Sequence, residues 1–160
     1  MAAAKQPETD AERQAAQWAY DEFLERAKSD PIKYIKHDVR AHDDEALYRL
    51  TYEHGMAYYG LYWLLVELLT GRKDHYYDVS DDAGWRRLAR DMGCICDMSV
   101  EECRTFIGDL YKAELISREH FDELHKVCIK RVNKHANELA EASAAKAFGA
   151  WKTNRKRMLG

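Results

Sequence analysis

Apolar residues recur at spacings of three and four along most of this sequence, which is the period of an amphipathic α-helix. The sequence is therefore predicted to be mainly helical. The predicted helices cover residues 8–28, 44–52, 57–70, 82–92 and 99–111, with a helical turn over 119–125 and a long terminal helix that begins at 129 and frays after 149. The buried stripe of the first helix is predicted to consist of Ala11, Ala15, Trp18, Ala19, Phe23 and Ala27.

Polar residues and glycines mark the predicted helix ends. Asp43 or Asp44 is placed to cap the helix over 44–52, because a carboxylate accepts hydrogen bonds from the first free N–H groups. Ser99 is followed three residues later by Glu102, which is the pattern of a capping box. Gly71 follows the helix over 57–70 and is predicted to end it.

The helix over 57–70 is apolar on most of its faces, so the other helices are predicted to pack against it. Its nearly apolar run, 57–69, is shorter than the roughly 18 residues that a bilayer span needs. We therefore interpret it as a buried helix and predict no membrane contact.

The sequence is predicted to be cytoplasmic. Its first residues lead into polar sequence without the apolar segment of a secretory signal. The cysteines are too few for a disulfide framework and lack the paired spacing of a structural zinc site, so they are interpreted as small buried hydrophobic residues. They are Cys94, Cys96, Cys103 and Cys128.

Short β-branched or aromatic segments at 76–80, 115–117 and 126–128 are candidate strands. A buried helix, a strand, two helices and two further strands follow one another in the order of a winged helix-turn-helix, in which the second helix of the pair reads the DNA major groove. The predicted fold is mainly α, a winged helix-turn-helix core with a small β wing, an extra N-terminal helix and a long C-terminal helix. The predicted divisions are 1–31, 32–128 and 129–160.

Two segments also resemble the opening signature of a known family. Residues 34–40 (Tyr-Ile-Lys-His-Asp-Val-Arg), with Asp44, and residues 55–67 (Gly-Met-Ala-Tyr-Tyr-Gly-Leu-Tyr-Trp-Leu-Leu-Val-Glu) are similar to the N-terminal domain of phage and prophage replication proteins of the replisome-organiser type, a family also grouped as a domain of unknown function. Leu88-Ala89 and Ile129-Lys130-Arg131-Val132 are similar to later parts of the family pattern, whereas 113–116 departs from its Gly-Leu-Phe. The resemblance covers 33–134 and implies a winged-helix fold and a role in the initiation of DNA replication, with a helicase or its loader as a partner.

Charge is distributed unevenly along the chain. The 160 residues have a net charge of −3, yet residues 126–160 carry nine Lys or Arg against two Glu, which leaves −10 on the rest. A basic end on an acidic body indicates an interaction arm, for which nucleic acid is the commonest partner. A solvated helix with a frayed basic end is the alternative.

Twelve residues are candidates for contact with DNA. Three arginines lie on the polar side of the 82–92 helix, where guanidinium groups could hold successive phosphates. Two residues of the next helix are candidates for contact with guanine and with a thymine methyl group, although Glu101, Glu102 and Asp109 beside them would repel phosphate. The candidates are Arg86, Arg87 and Arg90; Arg104, Thr105 and Lys112; Lys130 and Arg131; and Lys152, Arg155, Lys156 and Arg157.

Enzyme chemistry is not predicted. The His-Asp pair at 37–38 and the His-Asp-Asp run at 42–44 are interpreted as capping and turn residues. The sequence has no phosphate-binding glycine loop, nucleophile elbow or paired catalytic carboxylates. We therefore expect neither a cofactor nor a bound metal.

The sequence favours a non-enzymatic DNA-binding or replication-accessory protein of a phage or mobile element, with weak sequence specificity. The alternative is a protein-interaction or oligomerisation module on the same scaffold. In that case the acidic body would bind a basic replication partner or a second copy, and the Ala-rich terminal helix would form a homodimer.

Overall fold

The computed structural model describes residues 9–28, 30, 32, 44–94 and 97–159. The prediction of a mainly helical protein with a long C-terminal helix is confirmed. Residues 34–40, His42, Asp43 and Cys96 lie outside the described residues. The elements are α1 (Asp10–Lys28), α2 (Glu45–His54), α3 (Met56–Thr70), β1 (Tyr77–Asp78), α4 (Asp82–Met92), α5 (Val100–Lys112), α6 (Arg118–Leu124), β2 (Lys126–Val127) and α7 (Lys130–Leu159).

The chain forms two compact units, Met1–Asp30 with Asn137–Gly160, and Pro31–Ala136. Helix α3 lies at the centre of the second unit: Leu65, Val66 and Leu69 are fully buried, and α2 and α4 pack against it. The prediction that α3 is the helix against which others pack is confirmed. Within the described ranges, no helix is both long and apolar enough to cross a membrane.

Local capping fixes where α2 and α5 begin. The carboxylate of Asp44 accepts hydrogen bonds from the N–H groups of Ala46 and Leu47 at 3.1 and 3.2 Å. The hydroxyl of Ser99 accepts from the N–H of Glu102 at 3.2 Å, and the Glu102 carboxylate accepts from the Ser99 N–H at 2.8 Å. Both predicted caps are confirmed, and each contributes about 1 kcal/mol to stability.

A small sheet closes one side of the Pro31–Ala136 unit. Strands β1 and β2 pair antiparallel, with Tyr77 opposite Val127 and Asp78 opposite Lys126. The predicted segment at 115–117 contributes a single bridge, between Ile116 and Ile129. Residues 126–129 therefore lie between β1 and Ile116, and α6 forms the connection that leads into β2.

In the other unit, α1 and the second half of α7 run antiparallel. The rings of Tyr20 and Phe148 meet edge to face with centroids 5.6 Å apart, and Glu12 lies near Arg155. Ala140 and Ala144 are buried.

Two details of the prediction for this unit are wrong. Trp18 is 68% exposed and Ala11 is also exposed, so neither belongs to the buried side of α1. Helix α7 continues past Gly149 to Leu159 instead of fraying. Contacts at helical spacing span the glycine, because the rings of Phe148 and Trp151 stack at 5.5 Å and Lys152 lies 4.5 Å from the centroid of the Phe148 ring.

Substitution of Gly84 by Ala is expected to destabilise the Pro31–Ala136 unit. Gly84 lies in the first turn of α4, where an added Cβ would overlap the backbone carbonyl of Asp78, so α4 or β1 would have to move. Overpacking of this kind typically costs about 1–3 kcal/mol. Urea unfolding followed by circular dichroism would measure the loss.

Gly60 is the matched control, since a Cβ there meets nothing within 4 Å. Gly60→Ala should raise the free energy of unfolding by roughly 0.5–1 kcal/mol, because Ala is the better helix former. An unchanged stability of Gly84→Ala would contradict the close approach of α4 to β1.

Candidate nucleic-acid interface

Helix α4 separates an apolar side from a basic side, as its spacing predicts. Leu88 and Ala89 are buried at 0% and 3% exposure, whereas Arg86 and Arg87 are exposed. Neither arginine makes a hydrogen bond or ion pair with another residue in the part of the chain that the structure describes. Their guanidinium groups are therefore available to an anionic ligand.

The third arginine of this helix is engaged by its neighbour. Arg90 donates through Nε and Nη2 to Oδ1 of Asp91, at 3.1 and 3.0 Å. Asp91 also accepts a hydrogen bond from the Tyr77 hydroxyl at 2.9 Å. Burial of Tyr77 and, to a smaller extent, this hydrogen bond raise the pKa of Tyr77 to about 12. Arg90 remains exposed, but its charge is compensated.

A further cation, absent from the sequence-based candidates, lies on the same surface as Arg87. Lys126 is paired across the sheet with Asp78 and lies 4.1 Å above the ring of Tyr76. Hydrogen bonds from Ser80 lower the pKa of Asp78, and the charges of Lys126 and Arg87 lower it further. The register of the two predicted strands was the signal that could have revealed Lys126.

The candidate readers on α5 all have partners inside the protein. Arg104 donates to Asp82 of α4 at 2.9 Å, and its guanidinium lies 4.4 Å from the centroid of the Trp85 ring. Thr105 donates to the carbonyl of Glu101 in its own helix at 3.0 Å. Arg104 therefore joins α5 to α4, whereas Thr105 is exposed and bonds only within its own helix.

The last candidate on α5 borders an acidic cleft. Lys112 lies 3.0 Å from Asp109, whose other carboxylate oxygen accepts a hydrogen bond from Tyr58 at 3.1 Å. Burial and this hydrogen bond raise the pKa of Tyr58. The cleft, of about 700 Å³, lies between α2 and α5, and its acidic lining residues are Glu45, Glu53, Asp109 and Glu114. Arg49 and Lys112 also line the cleft and pair with Glu45 and Asp109, so the cleft keeps only a small surplus of negative charge.

The start of α7 contributes one exposed cation and one partly buried cation. Lys130 is exposed, whereas Arg131 is half-buried. The Arg131 guanidinium lies 3.8 Å from Asp44 and 5.7 Å from the centroid of the Trp63 ring. Arg131 thus supports the packing of the Pro31–Ala136 unit, whereas the Lys130 side chain is exposed to solvent.

The end of α7, in the other unit, combines cations with aromatic rings. Lys152 lies over Phe148, and the Arg155 guanidinium lies 5.2 Å from the centroid of the Trp151 ring. Lys156 and Arg157 are exposed, and no contact joins either of them to another described residue. This cluster is a second group of cations, in a different unit of the chain from α4.

Cysteine and acidic side chains are residue types that can hold a metal ion. Among the described residues, no three His, Cys, Asp or Glu side chains gather where they could hold a metal ion. Burial raises the pKa of Cys103 to about 11 and also raises that of Cys128. Both thiols are therefore protonated and weakly nucleophilic near neutral pH, and the prediction that they are buried is confirmed. The same prediction is wrong for Cys94, which is exposed after the end of α4.

Removal of the Arg104 side chain is expected to weaken the packing of α5 on α4. Arg104→Ala loses a partly exposed ion pair and a cation–π contact, so the free energy of unfolding should fall by about 1 kcal/mol. Arg86→Ala, which removes an unpaired arginine from α4, should change it by less than about 0.5 kcal/mol. Chemical unfolding of both variants tests this, and equal losses would show that Arg104 has no structural role.

Comparison with known proteins places the chain in one family. The family model described as "Lin1244/Lin1753-like, N-terminal" matches residues 34–128, nearly the stretch covered by the resemblance seen in the sequence. Neither the curated proteins nor the solved structures contain a significant match. The matched stretch runs through α2 to β2 and makes up more than half of the chain, so this protein belongs to the Lin1244/Lin1753-like, N-terminal family.

Proposed function

We propose that this protein is a non-enzymatic DNA-binding protein that assists replication of a phage or mobile element and contacts DNA mainly through its phosphates. The observation that carries the proposal is the cationic surface formed by Arg86, Arg87 and Lys126. Arginine binds phosphate by paired, charge-assisted hydrogen bonds, and it does so best where no carboxylate of the protein competes. Neither Arg86 nor Arg87 forms an ion pair with a described carboxylate, although the charge of Asp78 lies near Arg87 and Lys126.

The order of elements supports a winged-helix interpretation of the Pro31–Ala136 unit. Helices α3, α4 and α5 are followed by the Ile116 bridge and by β2, which pairs with β1 from before α4. In a winged helix-turn-helix, a β-hairpin follows the second helix of the pair in the same way. Here α6 takes the place of the loop at the tip of the wing.

The distribution of charge favours contacts with the DNA backbone over readout of bases. Helix α5 is in the position of the recognition helix, yet Arg104 and Thr105 are engaged inside the protein and Glu101 is exposed beside them. Phosphate contacts position a protein on DNA without reading its sequence. The proposed binding is therefore weakly dependent on sequence.

The end of α7 is proposed as a second, independent phosphate-binding surface. Lys156 and Arg157 supply free charge, and the stacked rings of Phe148 and Trp151 lie next to them along the helix. Aromatic rings beside cations are typical of surfaces that bind single-stranded nucleic acid. A helicase or its loader remains the proposed protein partner, on the basis of the resemblance alone.

The acidic side of α5 favours a second candidate function. A module that binds a basic protein, and not DNA, would also present carboxylates there and would leave Arg86 and Arg87 as solubilising charges. Self-association through α1 and the Ala-rich part of α7 would belong to the same candidate. Sedimentation of the purified chain would measure its oligomeric state.

The DNA-binding proposal predicts a specific change in salt dependence. Binding of a labelled random duplex, measured by fluorescence anisotropy, should weaken as salt rises, and each lost phosphate contact should reduce the log–log slope by about 0.9. The double variant Arg86→Ala with Arg87→Ala should therefore lower the slope by about 2.

The matched control removes the same charge elsewhere. Arg49→Ala with Arg118→Ala takes two arginines that pair with Glu45 and Glu114 at 2.8 and 3.2 Å, and it should leave the slope unchanged. A single-stranded probe and the variant Lys156→Ala with Arg157→Ala test the α7 surface in the same assay. DNA binding that is insensitive to salt would reject the α4 surface and favour the protein-interaction candidate. An equal change of slope in the Arg86/Arg87 variant and the Arg49/Arg118 control would do the same.

A further inference from the structure

A groove of about 430 Å³ lies beside the first turns of α5. Its walls include apolar side chains from two sides, Tyr58 and Leu61 of α3, Met98 before α5 and Phe106 of α5. Phe106 is buried and meets the Tyr58 ring edge to face at 5.3 Å, so the base of the groove is fixed by packing. The groove is within the roughly 300–1,000 Å³ range of ligand-binding sites.

The polar lining of this groove has one sign of charge. Asp97, Glu101 and Glu102 line it, and within the described part of the chain no Lys or Arg is among its lining residues. Glu102 is held in place by the capping box, and the same hydrogen bonds from Ser99 lower its pKa, so its carboxylate is ionised at neutral pH. Asp97 and Glu101 are exposed.

An apolar groove with an acidic rim selects its ligand by charge. A phosphate backbone would be repelled by the three carboxylates, and an acidic peptide likewise, whereas Lys and Arg side chains would be attracted to them. A large apolar side chain between those cations would bury itself against Leu61 and Met98. Short helical motifs commonly bind protein grooves through this combination.

We propose that this groove binds a segment of a partner protein that presents one large apolar side chain flanked by lysines or arginines. The residues involved differ from those of the proposed DNA surface. In the chain's own basic end, Phe148 and Trp151 stack on each other and Phe148 contacts Tyr20, whereas Met158 is exposed beside Arg157, so a peptide of this sequence is included in the test. A protein segment with a free apolar side chain is therefore the occupant that the charges and the apolar walls favour.

The test uses the full-length chain and fluorescein-labelled synthetic peptides in an anisotropy titration. The first peptide has a central Leu flanked by Lys and Arg, the second replaces the Leu with Ala, and the third replaces the cations with Glu. We expect the first peptide to bind, the Ala peptide to bind several-fold more weakly, and the Glu peptide not to bind. A fourth peptide, with the sequence of residues 145–159, represents a second copy of the chain.

Two variants of the protein test the two parts of the groove separately. Asp97→Asn with Glu101→Gln removes two rim charges and leaves the capping box intact. The affinity for the first peptide should fall by at least about threefold, because exposed ion pairs usually contribute up to about 1 kcal/mol each. Thr105→Trp should fill the groove without a change of charge, and it should also lower the affinity for the first peptide. Glu45→Gln with Glu53→Gln, at the other cleft, is the control that should change nothing.

Several outcomes would overturn the proposal. Equal binding of the Leu and Ala peptides would show that charge alone acts, and equal losses in the rim and control variants would show that the groove is not the site. Tighter binding of the 145–159 peptide than of the Leu peptide would make a second copy the occupant. The rim and control variants should bind DNA no more weakly than the unchanged protein does, so a failure of this proposal is distinguishable from a failure of the DNA-binding proposal.

Discussion

Helix α3 has to be covered on most of its circumference, because its sequence is apolar on nearly every face. Helices α2 and α4 provide most of that cover, and Leu65, Val66 and Leu69 are consequently removed from water altogether. The cover is incomplete at the start of α3, where Tyr58 and Leu61 stay half-buried. The groove beside α5 is located there, so the same requirement that organises the core also leaves an apolar surface at its edge.

The part of the fold that depends on local sequence was predictable. The caps at Asp44 and Ser99 involve residues at most three positions apart, and the apolar period of α4 and α5 is unambiguous because their two sides differ sharply in polarity. The buried side of helix α1 was harder to predict. Alanines tolerate both water and burial, so its period did not decide whether Trp18 belongs to the buried side, and the position of Tyr20 against Phe148 left Trp18 in solvent.

The candidate site was predictable only in part, because free charge depends on pairing over long distances in sequence. Exposure of Arg86 and Arg87 followed from helical periodicity. The bond between Arg104 and Asp82 joins residues 22 positions apart and has no local signature. Lys126 reaches the same surface as Arg87 through the pairing of β1 with β2, and only the register of that pairing could have revealed it.

The ion pair between Arg104 and Asp82 also decides how the remaining charge is distributed. It engages the only cation of α5 that lies at the contact with α4, and it engages the anion in the first turn of α4. Two further pairs, Arg90 with Asp91 and Lys112 with Asp109, act within each helix.

After these three pairs, the charges of α4 that are left are Arg86 and Arg87, and those of α5 are Glu101 and Glu102. Two helices with mixed sequences thereby present opposite charge to solvent. Exposed charges act over about 8–10 Å at moderate ionic strength. In the two proposals, this separation is what would let one small unit attract an anionic ligand at α4 and a cationic one at α5. The Arg104–Asp82 contact between the helices, together with the two pairs inside them, therefore underlies both proposed surfaces.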